Sequence, residues 1–327
     1  MNKSKRDRYN PERRRFLSDC LKYGSAFAFV SGLGAISGCG NSAEGASKPP
    51  KSISLPEKHV TSVGQNVVAV SKNSNPYELT RKAVEALGGM DKFISKDETV
   101  MLLPNMAWDR NVDQAANTHP DVVRAIIDMC KESKAREIGV FCNTCHPAQS
   151  SYAKSGVADT AEKAGARIWY VDDRDFQTVE MNGTNLKTTD IYKKLLASDR
   201  FINIPIAKVH SLASYTMSMK NLLGAVKNRQ VYHPNIHQDL ADLSMILKPD
   251  LNVIDATRIL IKNGPTGGSL ADVRKPNIVI AAPNPVSADS VGMSLFDKAP
   301  EKLMCLTIAQ KLGRGEYDHE KLEIREA

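Results

Sequence analysis

Short apolar runs alternate along this chain with longer stretches whose apolar residues return at helical spacing. The runs predict strands over Asn66–Val70, Thr99–Leu103, Glu137–Phe141, Arg167–Val171, Phe201–Ile206, Leu251–Ile254 and Asn277–Ala281. The amphipathic stretches predict helices over Pro76–Leu87, His119–Glu132, Val157–Ala164, Thr216–Val226, Asn235–Leu247 and Val286–Phe296. Pro120 stands in the first turn of its helix, and Gly88-Gly89 closes another in the usual C-terminal way. Strand and helix in regular alternation make an α/β protein, with an open, mainly parallel, Rossmann-like sheet and helices on both faces. Ligands of such sheets bind beyond the carboxyl ends of the strands.

The first 39 residues break this pattern. A basic run leads into Arg13-Arg14-Arg15-Phe16-Leu17, and an uncharged stretch from Gly24 to Gly38 follows. That stretch is too short to span a bilayer, which needs about 20 apolar residues. It has the length of a signal-peptide apolar region. Arg13-Arg14 with Phe16-Leu17 resembles the twin-arginine export consensus, and Ile36-Ser37-Gly38-Cys39 resembles a lipobox. The expected organisation is a signal over 1–39, a Ser/Lys/Pro-rich flexible tether over 40–57 and one α/β domain over 58–327. Cys39 would carry lipid and hold the exported protein on the membrane, facing the periplasm or the cell exterior.

This division changes the reading of charge. The net charge is +7, but residues 1–39 hold eight Lys/Arg and three Asp/Glu, leaving 36 basic and 34 acidic side chains. The domain is close to neutral, which excludes a nucleic-acid partner recognised through bulk charge. Of six cysteines, Cys20 leaves with the signal and Cys39 takes lipid, so Cys130, Cys142, Cys145 and Cys305 stay. These are too few for a disulfide scaffold and wrongly spaced for ferredoxin-type clusters.

Candidate chemistry gathers after the strand Phe201–Ile206. Lys208, His210, Ser214, Thr216, Ser218, Lys220 and Asn221 crowd into fourteen residues. A helix beginning near Thr216 would offer free N–H groups to an anion, with charge from Lys208 and Lys220. His210 is expected to act near neutral pH as an acid, a base or a ligand. Downstream, His233 and His237 stand four apart and, with Asp239, form a candidate set for a divalent metal. Asp255 ends the strand Leu251–Ile254 at the same edge. The loop Asn263-Gly264-Pro265-Thr266-Gly267-Gly268 permits close backbone approach, yet lacks the Lys-Ser/Thr of nucleotide-binding phosphate loops.

Lys208-x-His210, Lys220-Asn221-Leu222-Leu223-Gly224, His233, Asp255, Gly264-Pro265-x-Gly267-Gly268 and Asn284-Pro285-Val286-x-x-Asp289 together resemble the bacterial and archaeal domain of unknown function 362 family. Leu103-Pro104-Asn105 and Thr118-His119-Pro120 match its N-terminal half, so the resemblance spans roughly residues 60–315. It implies an α/β domain, often exported by the twin-arginine route and sometimes joined to iron–sulfur modules. It implies no reaction. The cluster-binding cysteines of such modules are absent from this sequence.

Cys142-Asn143-Thr144-Cys145-His146 is a C-x-x-C-H string, the attachment signature of c-type haem. Covalent haem with His146 as axial ligand, a disulfide or thiolate metal site, and a plain loop are three competing readings of it. The favoured function is a small anionic ligand, a metal or a redox cofactor bound at the strand ends. Lys208, His210, Lys220 and Asp255 are the candidate catalytic residues, and Asn105, Thr216, Asn221, Gly264, Gly267 and Gly268 the candidate ligand-binding residues. A mono-haem electron carrier with a redox partner and a catalytically silent envelope binding protein are the alternatives.

Overall fold

In the computed structural model, residues 61–327 are described, and the expectations for the signal, the tether and Cys39 lie outside the described residues. The framework strands are β1 (Val67–Lys72), β2 (Thr99–Pro104), β3 (Glu137–Phe141) and β4 (Arg167–Trp169). A separate hairpin pairs β5 (Phe176–Glu180) with β6 (Thr188–Tyr192). Then come β7 (Arg200–Ile204), β8 (Ile206–His210), β9 (Ser214–Thr216), β10 (Leu251–Leu260), β11 (Val273–Arg274), β12 (Ile278–Ala282) and β13 (Glu323–Glu326). The main sheet has eleven strands, with the order β13-β1-β12-β10-β7-β2-β3-β4 along its path. From β10 to β4 every pairing is parallel, while β12 runs antiparallel to both β1 and β10. The fold is an open α/β sheet, mainly parallel.

The helices are α1 (Pro76–Ala86), α2 (Pro120–Glu132), α3 (Ala148–Lys154), α4 (Val157–Lys163), α5 (Lys193–Leu196), α6 (Ser218–Asn221), α7 (Ile236–Ile246), α8 (Pro285–Gly292) and α9 (Met304–Lys311). They form two packed groups, α1 to α4 and α6 to α9, as expected for cover on both faces. Buried apolar side chains then line the sheet on both sides: β10 is buried along all ten residues, and β7 along all five. Such strands read as continuous apolar runs because neither face meets water.

Several predicted elements differ in their bounds, and two of these differences shape the site. The run read as one strand, Phe201–Ile206, is two strands broken at Pro205, because proline cannot donate to the ladder. β7 pairs with β2 and β10, whereas β8 leaves β2 and pairs with the far half of β10 and with β9. The helix expected over Thr216–Val226 is shorter. Thr216 ends β9, α6 spans Ser218–Asn221, and a 3-10 turn covers Leu222–Ala225. The hairpin β8–β9 places Thr216 directly opposite Lys208.

Chain order reverses at β2 and β7. From β2 the chain steps to β3 and β4 on one side, and β7 and β10 lie on the other. A crevice opens beyond the carboxyl ends of two strands at such a reversal. Asn105 follows β2 there, Cys142 follows β3, and β8 carries Lys208 past the end of β7.

Candidate functional site

Lys208 is 1% exposed, yet ends in an amine. Its Nζ donates to the Ala116 carbonyl at 2.5 Å and to Asn105 Oδ1 at 3.4 Å, and lies 5.7 Å from the centre of the Trp108 ring. Burial pushes its ammonium down to about 7. Cys145 and Cys142 resist that shift, and Lys220 and Arg258 add to it. Burial likewise moves Lys220 down to about 8, opposed by Cys145 and assisted by Arg229. The Lys220 ammonium makes no hydrogen bond or ion pair among the described residues.

His210 is held near about 2, first by burial and then by the charges of Lys220, Lys208 and His233. Its Nδ1 accepts the backbone N–H groups of Leu212 and Ala213 at 3.1 and 3.3 Å, so a neutral ring carries its proton on Nε2. His233 is lowered by burial, then by Lys220 and Arg229. Lys208, His210, Lys220, Arg229 and His233 therefore share one electrostatic neighbourhood, in which the largest influences besides burial come from cations and from the Cys142 and Cys145 thiols. Arg229 carried no signal in the sequence beyond its place between Gly224 and His233.

Beneath Lys208 runs a row of buried amides. Asn105 Nδ2 donates to Asn221 Oδ1 at 2.9 Å, Asn221 Nδ2 to Asn203 Oδ1 at 2.9 Å, and Asn203 Nδ2 to Asn252 Oδ1 at 3.0 Å. Asn252 Nδ2 ends the row on the carbonyls of Ala282 and Pro283. Asn105 and Asn221 were expected at a ligand, whereas Asn203 and Asn252 sit inside strands read only as apolar.

The C-x-x-C-H string opens onto the same neighbourhood. Arg229 Nη1 lies 2.6 Å from Cys145 Sγ, and Cys145 is exposed. Cys142 is buried, which pushes its thiol up to about 11; a Cβ added to Gly224 would come 3.4 Å from its sulfur. Both thiols are free. His146 meets Trp108 edge-on at 5.0 Å between ring centres, and its Nδ1 accepts the Asp109 N–H at 3.3 Å. Of the two sulfurs in the string expected to serve a haem, a disulfide or a metal, Cys142 is buried and Cys145 is exposed.

Other expected ligands are already engaged. Asp255 is fully buried and accepts from the His119 N–H at 2.7 Å, the Thr257 N–H at 2.9 Å, the Thr257 hydroxyl at 2.6 Å and Arg258 Nη1 at 2.5 Å. Burial raises its carboxyl, but Arg258, His119 and Thr257 together leave it lowered. It ties the entry of α2 to β10. The N–H groups starting α6 are not free for an outside anion either, because Ser218 and Met219 donate to Asp289 at 2.6 and 2.9 Å.

His233, His237 and Asp239 are not assembled as a metal set. His233 faces Lys220 and Arg229, a surrounding that repels a cation, while Asp239 accepts from Asn185 at 2.9 Å and neighbours Asp242. His237 Nδ1 and Asp239 Oδ2 are buried without hydrogen-bond partners. Among the described residues, no group of three His, Cys, Asp or Glu side chains is placed to hold a metal ion.

The glycine loop backs the site rather than closing over it. A Cβ on Gly264 would come 1.9 Å from the Val209 carbonyl oxygen, so only glycine lets this loop lie against β8. Gly267 and Gly268 take positive φ, and Arg110 and Gln114 hold the loop through the Thr266 and Gly268 carbonyls.

The chain is 24% identical over 249 residues to a thylakoid-associated protein of Synechocystis sp., covering 71% of this chain and 74% of that protein. Among solved structures it is similar to the lactate racemase apoprotein from Thermoanaerobacterium thermosaccharolyticum, with a TM-score of 0.46 at 12% identity. A Thermotoga maritima protein gives a TM-score of 0.42 at 11% identity. These matches cover 75% and 72% of this chain, but it spans only 60% and 59% of theirs. Residues 100–294, which carry the whole site, match the family described as Domain of unknown function (DUF362), and the chain belongs to that family.

Proposed function

We propose that the domain binds a small anionic ligand, a carboxylate or a phosphate, over the carboxyl ends of β2, β3 and β7. The observation that carries this reading is the gathering of Lys208, His210, Arg229 and His233 around Lys220, whose ammonium has no hydrogen-bonded or ion-paired partner among the described residues. Buried ammonium groups held down by desolvation and by one another gain most from an arriving anion. Lys220, unpaired among the described residues, is the first contact. Lys208 below it, with its amine near neutrality, is the group suited to exchange a proton with the ligand. His210 offers a neutral donor. Titration calorimetry with inorganic phosphate and with succinate tests the reading. Saturable binding that weakens about tenfold in Lys220→Ala supports it. Affinity also falls as pH rises from 7 to 9 and the two lysines lose charge. Neither probe binding at low ionic strength ends it.

We also propose that the protein works at a membrane surface of the cell envelope, exported by the twin-arginine route and anchored by lipid on Cys39. The ordered features at Arg13-Arg14, Gly24–Gly38 and Cys39, together with the thylakoid association of the relative, support this. Among the described residues no helix is long and apolar enough to cross a membrane.

A further inference from the structure

The exposed thiol of Cys145 stands in the same cationic neighbourhood, and its surroundings fix it there. Arg229 Nη2 donates to the carbonyls of Asn143 and Thr144 at 2.9 and 2.8 Å, so the loop that carries the thiol also pins the guanidinium lying on it. The backbone N–H of Cys145 donates to the Ala107 carbonyl at 2.9 Å, and that of Asn143 to the Gly224 carbonyl at 2.8 Å. Asn143 Nδ2 donates to the Val226 and Lys227 carbonyls. The sulfur lies within electrostatic reach of Lys208 and Lys220. A second observation points to a missing ligand atom. Thr216 lies opposite Lys208 across the hairpin and is 3% exposed, yet its hydroxyl has no hydrogen-bond partner. A ligand oxygen bound beside Lys208 would supply that partner.

We propose that Cys145 is a covalent capture site for small electrophiles that carry a carboxylate or phosphate group. The inference rests on the anion site described above and adds a reaction to it. Lys220, Lys208 and Thr216 hold the anionic end, and Arg229 stabilises negative charge on sulfur as it attacks. A bond forms from Cys145 sulfur to the electrophilic carbon, the bond from that carbon to its leaving group breaks, and the leaving group departs with the electron pair. The thiol proton passes to solvent. Cys130, Cys142 and Cys305 are buried and take no part.

Iodoacetate and iodoacetamide differ in charge and share one reaction, with iodide as leaving group. Both are applied to the full chain, with Cys145 modification followed by peptide mass mapping and rates normalised to N-acetylcysteine. Cys145 should favour iodoacetate about tenfold over the free thiol's own ratio, the scale of enrichment by a focused cationic field. That preference should shrink in Lys220→Ala and at high salt, and inorganic phosphate should slow the anionic reagent alone. The Cys145→Ser variant should lose the modification while retaining phosphate binding. A wild-type ratio equal to that of N-acetylcysteine overturns the proposal. If phosphate still binds in calorimetry, only the covalent role falls; if it does not, the anion site falls as well.

Discussion

Asp289 supplies at the start of α6 the negative charge that the sequence led one to expect from a ligand. The motif Asn284-Pro285-Val286-x-x-Asp289 was visible, but its target was not, because 71 residues separate Asp289 from the Ser218 N–H it accepts. Burial raises its carboxyl to about 7, against the pull of the Met219 and Ser218 N–H groups. The unfolded value is near 4, so the folded state holds a proton that the unfolded state releases. Stability should therefore fall as pH climbs from about 4 to about 7 and level off above. Urea unfolding at pH 5 and pH 8 checks this, and Asp289→Asn should flatten the slope while weakening the cap by about 1–2 kcal/mol at pH 5. Lys208, by contrast, was expected just past a strand and instead lies within β8. What the sequence could not show is that its amine is almost sealed from water.

The elements explain why one site was read as two. Cys142–His146 follows β3 and Lys208 rides on β8, some sixty residues on, yet β3 and β7 flank the same strand β2. Parallel neighbours need long crossovers, so proximity across a sheet leaves no trace in spacing. The strands themselves were legible, since buried strands read as apolar runs; the short β9 and the hairpin β5–β6 lack that signal. The amide row crosses these elements from β2 to β10, with one sense throughout. Its far end meets the Ala282 and Pro283 carbonyls, which only accept, so each amide in turn must present its oxygen backwards, and Asn105 must present one to Lys208. Asn203→Leu cuts the row in the middle and leaves Asn221 without one of its two acceptors and Asn252 without its donor. Chemical denaturation should register a loss of about 2–4 kcal/mol. A loss below about 1 kcal/mol would mean that water replaces the missing amide.

For the molecule as a whole, alternation of strand and helix was enough to foresee an open α/β sheet, because each element must bury an apolar face against another layer. The antiparallel insertion of β12 and the return of β13 beside β1 were not, since periodicity carries no strand order. Membrane attachment belongs to this scale too. Cys39→Ser should move the protein from the membrane pellet to the soluble fraction after cell lysis, with its unfolding midpoint unchanged; retention in the pellet would refute the lipid anchor. The position of β2 between β3 and β7 has one more result. A guest touching Cys145 on one flank and Lys208 on the other clasps two runs of the chain that approach from opposite sides of β2. Its occupancy should protect both runs from protease together, with a free energy of protection that grows with the logarithm of guest concentration.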